Sequence, residues 1–145
     1  MRHVLVVLAA LALTSGCSEG MTPAATPRES NAAVGESLAR GLDQIRTTRD
    51  MRKLQVELVR TVATLRSEHG STVAGRIGRA LAIDGFDATL AGVRARIDFD
   101  ENDSGNVEAA TRDARRASRF LKRGAEYLRR AGQALGVPVG KLNGY

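Results

Sequence analysis

An all-α fold, a small bundle of three to five helices, is what this 145-residue sequence predicts. Two observations carry that expectation. Aromatic residues make up 3% of the chain and Trp is absent, so the interior must be built from Leu, Val, Ile and Ala, a supply that suits packed helices better than a sandwich. Between residues 31 and 136 the apolar positions recur every three or four residues, and no run alternates as a half-buried strand does. The length leaves room for one domain with a modest core.

The first segment stands outside that domain. Arg2 and His3 form a short basic start, Val4 to Leu13 is an uninterrupted apolar run of ten, and Thr14, Ser15 and Gly16 are small. This is the order of an export signal, and ten apolar residues fall short of the ~20 that cross a bilayer. The single cysteine, Cys17, follows directly. Leu13-Thr14-Ser15-Gly16-Cys17 resembles the lipobox of bacterial lipoproteins, with Thr14 where Leu is usual and Leu13 one residue upstream. The resemblance covers residues 1–18 and implies that Cys17 becomes an acylated first residue of the mature chain, at a membrane of the cell envelope. It also implies sorting to the outer membrane, where the source has one, because Ser18 rather than Asp follows the cysteine.

Residues 18–30, "SEGMTPAATPRES", lack apolar periodicity and read as a flexible tether, with the helical domain expected over 31–136 and a tail over 137–145. The tether reaches roughly 40 Å at ~3.3 Å per residue.

Val34, Leu38, Leu42 and Ile45 form the first apolar stripe, and Met51, Leu54, Leu58, Val62 and Leu65 the second. At ~100° per residue the two point to opposite faces of one helix. Either the helix breaks near "TTRD", residues 47–50, or one long helix buries different faces at its two ends; no Gly or Pro marks a stop after Ile45 until Gly70, which favours the latter. Val73, Ile77 and Leu81 then mark a short helix, Asp84-Gly85 a turn, and Asp84 with Asp87 the cap of a further helix carrying Phe86, Leu90, Val93 and Ile97.

The last helix has a heptad. Val107, Ala114, Leu121, Leu128 and Leu135 recur at sevens, with Ala110, Ala117, Gly124 and Ala131 between them, until Gly136 and Pro138 end the pattern. Large residues in one row and small ones in the next predict close, antiparallel packing on another helix. Arg112, Arg115, Arg116, Arg119, Lys122, Arg123, Arg129 and Arg130 occupy the three rows facing away from that core. Against Glu108, Asp113 and Glu126 they give this helix +5, the whole net charge of the chain from Cys17 onward. Such a strip suits an anionic partner: lipid headgroups, lipopolysaccharide, a cell-wall polymer or an envelope protein. Nucleic acid is a poor fit for an exported chain whose basic strip lacks interleaved aromatics.

The preceding loop is acidic. Asp100, Asn102, Ser104, Gly105, Asn106, Val107 and Glu108 resemble the first nine positions of an EF-hand calcium loop. The resemblance implies weak calcium binding by Asp100, Asn102, Ser104, the Asn106 carbonyl and Glu108 through water. Thr111 stands where that family has its bidentate Glu, and the alternative is an acidic turn favoured by the helix dipole.

No cofactor is required by any motif. His69 is the sole histidine after processing and no second thiol exists, which excludes His/Cys zinc clusters and Cys-His nucleophile pairs. Carboxylate chemistry from Asp98, Asp100, Glu101 and Asp103 is a minor alternative, a carboxylate-dependent hydrolase. The expectation is a non-catalytic, membrane-anchored envelope protein with a binding or structural role, and its alternative a calcium-responsive module.

Overall fold

The computed structural model describes residues 27–101 and 106–142. These form four helices, α1 (Pro27–Thr47), α2 (Met51–Ser67), α3 (Val73–Glu101) and α4 (Val107–Leu135), and no strand among the described residues. The expected signal segment, Cys17, Asn102 and Ser104 lie outside them.

The stripes on opposite faces of residues 34–65 are reconciled by a break, not by one long helix. α1 ends at Thr47, and Asp50 caps α2 by accepting the Lys53 N–H at 2.8 Å. Folding back turns Val34, Leu38, Leu42 and Ile45 toward Leu54, Leu58, Val62 and Leu65, and all eight are buried in one core. An aspartate cap and two β-branched threonines therefore suffice to stop a helix without Gly or Pro. Hydrogen bonds hold the pair in antiparallel register: Ser37 Oγ to Glu68 Oε1 at 2.6 Å, Thr61 Oγ1 to Gln44 Oε1 at 2.8 Å, and Thr48 Oγ1 to Glu57 Oε2 at 2.8 Å. A step forward along α1 is matched by an equal step back along α2.

The expected turn at Asp84-Gly85 does not exist; α3 runs straight through it for 29 residues. Asp84 and Asp87 cap nothing, and Asp87 instead pairs with Arg66 of α2 at 2.9 Å. A second cross-pair, Arg52 with Glu101, keeps the same antiparallel register two heptads away. At the far end Arg79 donates to the Leu65 and Arg66 carbonyls at 2.6 and 2.7 Å, satisfying acceptors that the end of α2 leaves unpaired.

What keeps α3 continuous is its fit to α4. A Cβ on Gly78, Gly85 or Gly92 would stand 2.5, 2.7 or 2.7 Å from Cγ of Leu135, Leu128 or Leu121. Glycines at sevens on one helix thus receive leucines at sevens on the other, running antiparallel. In return a Cβ on Gly124 would stand 2.4 Å from Thr89 Oγ1 and 2.9 Å from the Gly85 carbonyl oxygen. The heptad of α4 packs as its small and large rows predict, with Ala117, Gly124, Leu128 and Ala131 buried. Each glycine weakens its helix by about 1 kcal/mol relative to Ala, and the leucine seated over it offsets this by burying apolar surface.

This register overturns the stripe expected at the start of α3. Val73 and Ile77 are 64% and 51% exposed; Gly75, Gly78 and Ala82 form the buried face instead. Val107, the first residue of the expected heptad, is likewise 77% exposed. Gly136 ends α4 in the left-handed conformation, φ 69°, as a glycine there should. The tail that follows joins the core. Val139 is buried, with Val137 and Leu142 packed beside it, and Arg46 of α1 donates to the Val139 carbonyl.

A candidate anionic-surface interface on the last helix

All eight basic side chains of α4 are exposed. They form three rows along the helix: Arg112 with Arg119; Arg115 with Lys122 and Arg129; Arg116 with Arg123 and Arg130. At ~100° per residue these rows cover an arc of about 140° opposite Leu121 and Leu128, and ~1.5 Å per residue makes the strip about 27 Å long from Arg112 to Arg130. The rigidity of the strip comes from the other side of the same helix, where Ala117, Gly124 and Ala131 are buried.

Little of this charge is compensated. Among the described residues Arg129 alone of the eight has an ion pair, to Glu126 Oε1 at 2.8 Å. That contact, with Arg130 nearby, holds the fully exposed Glu126 carboxyl below its ordinary value; the hydrogen bond from Arg129 is the main cause. Two further arginines lie over aromatic rings. The Arg116 guanidinium is 5.8 Å from the centre of the Phe120 ring, and that of Arg123 is 5.6 Å from the centre of the Tyr127 ring. Phe120 and Tyr127 correct the expectation of a strip without aromatics: half-buried, seven residues apart, they border it on one side. Their seven-residue spacing was the signal that could have found them.

The acidic loop is only partly within the described residues. Asp100 sits in the last turn of α3, its Oδ1 3.4 Å from Arg96 Nε. Asn106 caps α4: its side chain accepts the N–H groups of Glu108 and Ala109, each at 3.1 Å, and its carbonyl accepts that of Ala110 at 3.1 Å. Glu108 is exposed in the first turn. Among the described residues no three or more His, Cys, Asp or Glu side chains gather as a metal site. Of the remaining carboxylates, Asp98 is exposed, Glu101 is paired with Arg52, and Asp103 lies outside the described residues. His69 is exposed beyond the end of α2.

Among the described residues no helix is long and apolar enough to cross a membrane. Comparison of the chain with known protein families, curated proteins and solved structures finds no match. The geometry of the bundle itself is therefore what supports a functional reading.

Proposed function

We propose that this chain is a lipid-anchored protein of the cell envelope, with no catalytic role, that binds an anionic surface through the basic face of α4. Acylation of Cys17 supplies the anchor, and each buried methylene of its chains contributes ~0.8 kcal/mol. The observation that carries the surface assignment is the concentration of a +5 charge on one rigid helix face whose cations, Arg129 apart, have no ion-pair partner among the described residues. Phosphate groups are the chemistry such a face fits, since arginine forks match them and a dense row gains from each added contact.

Reach supports the arrangement. Nine residues, 18–26, lie between Cys17 and the start of α1, and the ten steps they make span at most roughly 33 Å of extended chain. The beginning of α1 lies beside the start of α3, where Asn31 Nδ2 donates to Thr72 Oγ1 at 2.8 Å, and beside the end of α4, where Gly35 meets Val137. The anchored end of the bundle is thus the end at which the strip finishes with Arg129 and Arg130.

The test is headgroup dependence, which an acyl anchor alone does not confer. The acylated full chain should partition more strongly into vesicles of phosphatidylglycerol with phosphatidylcholine than into phosphatidylcholine alone. Reversing Arg115, Arg116 and Arg119 to Glu should abolish that preference. Equal partition of the unaltered chain, or an unchanged preference in the variant, would overturn the proposal.

A further inference from the structure

The α3–α4 pair has two flanks. One is closed by α1, α2 and the tail, where Phe86, Val93 and Val139 join the core. The other is open. Along it run Ile77, Leu81, Ala88 and Ala91 of α3, with Phe120 and Tyr127 of α4, all partly or largely exposed. Ala88, Ala91, Phe120 and Tyr127 line one shallow depression together with Asp84 and Asp87, and Arg123 stands at its edge over the Tyr127 ring.

Resting on the lipid-anchored reading above, we infer that this open flank, and not the basic strip alone, is the face that lies on the bilayer, with its apolar side chains in the headgroup boundary of anionic lipid. Three observations select a bilayer over a water-soluble polyanion. First, the arginines nearest the flank are stacked on aromatic rings, so cation and ring are presented together; lipid offers phosphate and hydrocarbon at adjacent depths, and amphipathic rings favour that level. A phosphate-rich polymer gives Ile77, Phe120 and Tyr127 nothing to bury against.

Second, the flank begins at the anchored end. Ile77 lies one turn into α3, at the same end of the bundle as the start of α1, where Asn31 accepts the Ser71 N–H at 3.2 Å. Third, the cations that border the flank are gathered on one helix: Arg116, Arg123 and Arg130 of α4 form a single row along its edge, while Asp87 is neutralised by Arg66. Asp84, Asp98 and Asp113 are the acidic groups left there, and all three oppose anionic lipid. Removing an exposed one, Asp84→Asn, should therefore strengthen binding to phosphatidylglycerol vesicles.

Spin labels read the orientation directly. Cys17 is the chain's one cysteine and acylation blocks it, so an introduced cysteine is the sole reactive thiol. Ile77→Cys and Ala91→Cys place a label on the flank; Val56→Cys, at an exposed position of α2, places one elsewhere. With the acylated full chain on phosphatidylglycerol–phosphatidylcholine vesicles, the two flank labels should be several-fold more accessible to dissolved oxygen relative to a water-soluble nickel chelate than the Val56 label. Flank labels that remain in water, or a Val56 label equally shielded, would overturn the inference. If the flank labels are in water while charge reversal on α4 still abolishes the headgroup preference, this inference fails and the proposed function stands; if charge reversal has no effect, the proposed function fails.

Discussion

Gly85 of α3 and Leu128 of α4 sit so close that a Cβ on the glycine would lie 2.7 Å from the leucine Cγ and 3.0 Å from its backbone nitrogen. Leu128 is fully buried in that position. Substituting Gly85→Ala gains about 1 kcal/mol of helix propensity but must overpack this contact, which costs about 1–3 kcal/mol. Gly124→Ala should be worse, because its Cβ meets the Gly85 carbonyl and the Thr89 backbone as well as the Thr89 hydroxyl. Gly35, whose nearest neighbour would be 3.5 Å away, should tolerate alanine with unchanged or raised stability. Urea unfolding of the three variants checks the order.

The break between α1 and α2 depends on Asp50. Asp50→Ala should lower stability by about 1 kcal/mol, within the range for losing a cap, whereas Asp50→Asn should retain most of it. Equal losses in both variants would show that the charge, not the acceptor geometry, matters.

Charge reversal of Arg115, Arg116 and Arg119 should leave the unfolding midpoint nearly unchanged, because all three are exposed and none has an ion-pair partner among the described residues. Binding to anionic vesicles should nevertheless fall by at least about 3 kcal/mol, roughly 100-fold, at ~1 kcal/mol per basic group lost. Added salt should weaken the unaltered chain in the same direction. Separate thermal unfolding and vesicle partition measurements distinguish the two effects.

Asn106 and Asp100 separate the two readings of the acidic loop. As a cap, Asn106→Ala should cost about 1 kcal/mol equally in calcium and in chelator, measured by thermal unfolding. The calcium reading uses the Asn106 backbone carbonyl, which alanine retains, and so is tested at a side-chain ligand: a calcium-dependent rise in stability that Asp100→Ala removes would make the loop a metal site.

Glu126 ties pH to the strip. Its carboxyl is held low in the folded chain, chiefly by the hydrogen bond from Arg129, so its contribution to stability is present above the ordinary carboxylate range and is lost as pH falls through the depressed folded value. Protonation there also removes a negative charge from the strip. Acidification should thus raise affinity for anionic vesicles while slightly lowering stability, and Glu126→Gln should show the higher affinity at neutral pH.

The sequence by itself determined the helical class, the stripes of α1 and α2, the heptad of α4 and the separation of its charge from its core. All of these follow from spacing along a single helix. Val34 to Ile45 and Leu54 to Leu65 bury as their periodicity requires, and the eight basic residues of α4 are exposed because leucine, alanine and glycine rows claim its other face. The continuity of α3 was decided elsewhere. Asp84-Gly85 has the local chemistry of a turn, but Gly78, Gly85 and Gly92 are spaced to receive three leucines of another helix. Tertiary contact alone turns a helix-weakening residue into a packing site. The same contact rotated Val73 and Ile77 outward, because a helix seated on its glycine face cannot also bury the stripe beside it. It also set Phe120 and Tyr127 at the border of the basic strip, since which flank of an antiparallel pair stays open depends on where α1, α2 and the tail close the other.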